Sequence, residues 1–202
     1  MNVPFRLVRY VILCCVLLHW IACRQNIPVD AVLHTSMGDI QVQLSGVHTP
    51  YHERFLDISD SQPVDTLSFD RIERDFAIRF GPAPGDQEQE QLSGDATGTP
   101  VTTGALAYAM TEGSHGEFFV VLGRPQTKAT LDATEQRAAV RLSEKDRELY
   151  VKQGGLPQLQ GRCAVFGKVT AGMEVAQKIA ALPRDAQERP LQPVYLWIEI
   201  VR

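Results

Sequence analysis

Apolar and polar positions alternate strictly through several stretches of this chain. In 39–44, Ile40, Val42 and Leu44 are separated by Gln41 and Gln43, a period of two that turns one face of a strand toward a core. Residues 194–202 repeat the pattern with Val194, Leu196, Ile198 and Ile200. Residues 31–36 form a further strand, and a turn at Met37-Gly38 joins it to 39–44 as a hairpin. The β-rich runs 66–72 and 76–80, the short apolar runs 105–110 and 117–122, and 164–170 bring the count to about eight short strands. Helical segments interrupt them. Pro50 suits the first turn of a helix running to about Ile58, and 173–182 is amphipathic and stopped by Pro183. Residues 124–157 are charged and helix-favouring, with an N-cap arrangement at Ser143-Glu144-Lys145-Asp146 and a stop at Gly154-Gly155. Residues 82–100, rich in Gly, Pro, Gln and acidic side chains, read as a surface loop, and 111–116 as a tight connection. Short strands at regular spacing predict a β-barrel or a sandwich rather than a parallel α/β sheet. Periodicity alone does not separate those two.

The first 23 residues differ in kind. Arg6 and Arg9 precede an uncharged run from Tyr10 to Ala22, followed by Cys23. At ~1.5 Å per residue that run covers about 20 Å, short of a ~30 Å hydrocarbon core. A basic start, a short apolar run and a small residue at its end predict an export signal. Ile21-Ala22-Cys23 resembles the lipobox of bacterial lipoproteins, which implies a lipid anchor on Cys23; Trp20 departs from the Leu usual there. The expected organisation is a signal over 1–23, a tether over 24–30 and one domain over 31–202, with 124–157 as an insertion.

Composition narrows the function. The chain is 44% hydrophobic, enough for a packed core, and its net charge of −4 becomes more acidic once Arg6 and Arg9 leave with the signal. The 20 Lys and Arg are scattered, so no basic patch invites nucleic acid. With Cys14 and Cys15 removed and Cys23 acylated, only Cys163 remains, and an exported monomer has no internal disulfide to form.

Three ordered stretches resemble the cyclophilin family. The first is Phe69-Asp70-Arg71, followed by Phe76, Ala77, Arg79 and Gly81. It is similar to the family's Phe-His-Arg segment, whose Arg is catalytic and is followed by a pocket Phe, a Met, a Gln and a Gly. The second is Gly104 to Met110, then Glu117-Phe118-Phe119. The third is Leu159-Gln160-Gly161-Arg162-Cys163-Ala164-Val165-Phe166-Gly167, followed by Gly172-Met173. The resemblance implies a closed eight-stranded antiparallel barrel capped by two helices, with the site on its outer surface. It implies a peptidyl-prolyl cis-trans isomerase that acts on proline-containing segments of exported proteins, as a monomer and without cofactor or metal.

The same resemblance assigns Arg71 as the donor, with Phe76, Phe119 and Leu159 gripping the proline ring. The substrate-binding set is completed by Ala77, Arg79, Ala109, Met110, Thr111, Glu117 and Cys163. Several of these depart from the family. Ala77 replaces a larger Met, Arg79 and Glu117 each replace a Gln, Met110 replaces an Asn that acts through its backbone, and Cys163 replaces a His or Tyr. Gln158 stands where an aromatic is usual. Arg79 and Glu117, of opposite sign, are expected to pair across the site; the competing arrangement is Glu117 on Arg71. A polar rim so rewritten also admits a second expectation, a proline-binding module with little turnover. Other chemistry finds less support: His48-x-x-x-His52 lacks a third metal ligand, and adjacent Ser114 and His115 are poorly placed as nucleophile and base.

Overall fold

The computed structural model describes residues 30–45, 49–60, 67–82, 98–110 and 118–201. The export signal, the tether up to Val29, most of the 82–100 loop, Thr111 and Glu117 lie outside them. The eight strands are β1 Ala31–Thr35, β2 Gly38–Leu44, β3 Leu67–Ile72, β4 Ala77–Pro82, β5 Ala105–Ala109, β6 Phe118–Val121, β7 Cys163–Ala171 and β8 Tyr195–Ile200. They close into an antiparallel barrel in the order β1-β2-β7-β5-β6-β4-β3-β8. Barrel, not sandwich, is the answer that strand alternation left open. The first hairpin turns at Ser36-Met37, one residue earlier than expected, because Gly38 opens β2 at φ +125. Thr35 holds the turn, accepting from the Met37 N–H and donating to the Gly38 carbonyl.

The period-two pattern fills the barrel. Leu33, Ile40, Val42, Phe69, Ile78, Phe80, Leu106, Tyr108, Phe118, Val120, Phe166 and Ile198 point inward and form one buried cluster. Two helices, α1 Pro50–Asp60 and α4 Met173–Ala180, close the ends with Tyr51, Phe55 and Ile58 from the first and Val175, Ala176 and Ile179 from the second. No helix among the described residues is long and apolar enough to cross a membrane.

The 124–157 insertion folds as two further helices, α2 Lys128–Ala138 and α3 Glu144–Gln153. Neither has much of an apolar face; Leu131 and Tyr150 are their only buried residues. Arg147 of α3 binds both Asp132 and Glu135 of α2, and Ser143 caps α3 by accepting from the Asp146 N–H. Tyr150 ties the unit to the barrel. Its buried hydroxyl accepts from the Val101 N–H at 2.8 Å and donates to Gln160 Oε1 at 2.9 Å. Burial pushes its ionisation far above the ordinary tyrosine range, so the hydroxyl stays a donor. The exit from α3 is equally tight. Gly155 lies at φ +132, and a Cβ there would sit 2.3 Å from the Val101 carbonyl oxygen, so only glycine fits.

Candidate active site

The same strands that fill the barrel carry a second apolar cluster on their outer faces. Ala77, Val101, Ala105, Ala107, Phe119, Val121, Leu156 and Cys163 are buried there, with Phe76, Ala109, Leu159 and Val165 packed against them. Phe76, Ala77, Ala109, Phe119, Leu159 and Cys163 are thus gathered in one patch. Alternation explains it: Phe118 points into the barrel, so Phe119 points out. Leu159 ends a short 3₁₀ turn, Pro157–Leu159, and its carbonyl accepts weakly from the Cys163 thiol at 3.5 Å. Burial pushes that thiol up to about 12, so it is a neutral wall at physiological pH. Met110 behaves differently. Its side chain packs against the interior cluster and not in the patch.

A β-bulge keeps Arg71 on the outer side of the barrel, the side that carries this patch. In the β3–β4 ladder Phe69 pairs with Phe80 and Arg71 with Arg79, and the register shifts between Phe69 and Arg71. Asp70 and Arg71 therefore oppose the single residue Arg79, and both stay off the interior face. From Arg79 the ladder continues to Phe119 on β6, Ala107 on β5 and Val165 on β7. At ~4.8 Å per strand, the backbone of Arg71 is about 10 Å from that of Phe119. An extended arginine side chain is long enough to cover much of that span.

Arg71 and Arg79 are paired residues across the ladder, and like charges so placed are destabilising when bare. Each has its own carboxylate. Arg79 donates to Asp70 from Nη2 at 3.0 Å and Nε at 3.5 Å, and Arg71 donates from Nε to Glu73 at 2.7 Å. The Arg71 side chain remains 43% exposed, so the far edge of its guanidinium can meet a ligand. Asp70 and Glu73 were not among the residues that sequence reasoning assigned. For Glu73 a signal was present, since residues two apart on a strand share a face. For Asp70 there was none, because strand alternation puts adjacent residues on opposite faces and only the bulge reverses that.

Comparison with known proteins identifies the family and the fold. Residues 31–198 match the family described as cyclophilin type peptidyl-prolyl cis-trans isomerase/CLD. The chain is 27% identical over 168 residues to peptidyl-prolyl cis-trans isomerase CYP18-2 of Arabidopsis thaliana, covering 83% of this chain and 90% of the relative. It is 25% identical over 166 residues to peptidyl-prolyl cis-trans isomerase-like 1 of Neurospora crassa, covering 82% and 89%. A crystal structure of a Cryptosporidium parvum cyclophilin type peptidyl-prolyl cis-trans isomerase, determined in the presence of the dipeptide Ala-Pro, shares the fold. Its TM-score is 0.58 at 18% identity, over 85% of this chain and 98% of that one. A closed eight-stranded barrel with an arginine beside an apolar patch on its outer wall, and a family match over nearly the whole folded domain, lead to one conclusion: this chain belongs to the cyclophilin-type peptidyl-prolyl cis-trans isomerase family.

Proposed function

We propose that the chain isomerises X–Pro bonds in segments of exported proteins and assists their folding, held at the cell envelope by a lipid on Cys23. Resonance across the C–N bond sets a barrier of ~18–20 kcal/mol, and uncatalysed exchange takes tens to hundreds of seconds. No covalent bond breaks, so neither a nucleophile nor a metal is required. Two things lower the barrier: a donor that draws the prolyl nitrogen's lone pair out of resonance, and a pocket that holds the ring while the acyl group turns. Arg71 supplies the first in this reading, as a permanently charged planar donor. Phe76, Ala77, Phe119, Leu159 and Cys163 supply the second as an apolar pocket. The observation that carries the reading is the bulge, which keeps Arg71 on the outer face, in one cross-strand row with Phe119.

A protease-coupled assay on an X–Pro peptide tests it. Arg71→Ala should lower turnover at least tenfold, about 1.4 kcal/mol of transition-state stabilisation, with a smaller fall in peptide affinity. Equal turnover of the two proteins would remove Arg71 from the mechanism. The anchor is tested separately: wild type should partition with membranes, and Cys23→Ser should be released or keep its leader.

One observation favours a second reading, a proline-binding module of low turnover. Glu73 accepts from Arg71 Nε, and a carboxylate on the guanidinium weakens its pull on the prolyl nitrogen. If Glu73 restrains the donor in this way, Glu73→Gln raises turnover. If it only aims the guanidinium, the same change lowers it.

A further inference from the structure

The insertion builds a second depression beside the ring pocket. It is a groove of about 480 Å³ between α2 and the barrel, lined by Asp75, Phe76, Arg124, Thr134, Arg137 and Gln158 among others. Phe76 and Leu156 line the groove and also belong to the apolar patch, so the groove borders the pocket that takes the proline ring. Extended peptide at ~3.3–3.6 Å per residue crosses the width of one side chain in about two residues. The wall is fixed. Gln126 Nε2 donates to the carbonyls of Gly155 and Arg124, and Gly155 and Tyr150 lock the insertion onto Val101.

Charge sets what the groove accepts. Arg71, Arg79 and Arg147 each hold a carboxylate. The guanidiniums of Arg124 and Arg137 have none among the described residues, and both side chains are exposed. Asp75 is the one carboxylate in the lining, against two guanidiniums. Thr134 and Gln158 add neutral polar groups, so the groove is wetter and more cationic than the patch beside it. We infer that this groove is a specificity subsite of the same enzyme, which takes a Glu or Asp side chain within two residues of the substrate proline. The inference rests on the isomerase reading for the position of the proline alone.

A peptide series built on Ala-Pro reads it, with Glu, Gln or Lys at each of the two positions on either side. At one of those positions Glu should exceed Gln in kcat/KM by about fivefold, the size of one exposed ion pair, chiefly through KM and less at high salt. Lys there should fall below Gln. In the double variant Arg124→Gln, Arg137→Gln the Glu-to-Gln ratio should collapse toward one. In Arg124→Gln, Arg137→Glu the order should invert, with Lys above Glu. Both arginines are exposed, so an unchanged Tm verifies that these variants fold. Equal rates for Glu and Gln at all four positions, or a ratio that survives the double variant, would overturn the subsite. Failure of every peptide to turn over would sink the isomerase reading instead. Fluorescence anisotropy of the same labelled peptides would then decide the groove by the same ratios, taken from Kd.

Discussion

Every strand beneath the site has two faces, and they are filled in opposite ways. On the inside, Phe118 meets Phe55, Phe80, Tyr108 and Phe166 with ring centroids 5.3–5.9 Å apart. Outside, on the same and neighbouring strands, stand Ala77, Ala105, Ala107 and Ala109, with Phe119 rising beside them. The inside must be filled, because a closed barrel has no solvent to occupy its axis and any void forfeits contacts. The outer layer is thinner, and its alanines let Val101, Leu156 and Phe119 close directly over the sheet. Large residues on one face and small ones on the other thus set a filled core against the thinner outer layer that carries the proposed ring pocket.

The sharpest way to break this division is to truncate neighbours on opposite faces. Phe118→Ala should cost ~3–5 kcal/mol, and Phe119→Ala less, because it packs on small side chains rather than among four aromatic rings. Urea midpoints measure both, while peptide affinity should fall mainly in the Phe119 variant. Equal loss of stability in the two would erase the distinction between the faces.

Next in size is the seam between barrel and insertion. Gly155→Ala places a methyl against the Val101 backbone at positive φ, a strain of ~1–3 kcal/mol. It should lower the Tm and, by shifting α2, weaken discrimination among flanking residues more than turnover of a neutral peptide. Arg71→Lys then sharpens the assignment of the outer face. An ammonium cannot reproduce the planar fork, so turnover should fall at least about tenfold, with stability within ~0.5 kcal/mol of wild type.

The smallest effect lies far from the site. His34 stacks on Trp197 at 3.9 Å and bonds Asp39 and Glu199, each at 2.9 Å. Partial burial opposes its charge, but the hydrogen bonds to Glu199 and Asp39 outweigh that and raise its pKa above 6.5. A raised folded pKa contributes stability fully present below the unfolded value and lost as pH rises through the folded one. With both carboxylates more than half exposed, the contribution is under about 1 kcal/mol. His34→Gln should remove that part of the pH dependence, read from urea midpoints between pH 5 and 8. An unaltered pH profile would show the cluster to be inert.

Much of this was legible in the residues. All eight strands, both capping helices and the helical insertion stand within a few residues of where the polar and apolar pattern puts them, because period two and period 3.6 are local properties of the backbone. Six residues assigned to the ring pocket and its edge through the family resemblance gather in one patch. The rim was less legible. Arg79 holds Asp70, a partner that sequence reasoning did not name, while Glu117, the partner it did name, lies outside the described residues. Arg71 holds Glu73 rather than standing alone.

By itself the sequence determined where strands and helices run, which side chains share a face, and which arginine stands in the family's catalytic segment. It did not determine which face is inside. Phe118 and Phe119 are the same residue type one position apart, and alternation says only that they part. Closure of the barrel chose, since burying Phe118 among four other rings excludes water from all five, whereas Phe119 packs in a smaller outer cluster with alanines, Val101, Val121 and Leu156. The bulge at Asp70 and Arg71 was likewise a tertiary decision. It exists only in the register between β3 and β4, and without it the strand's strict alternation would not hold both Asp70 and Arg71 on the outer face.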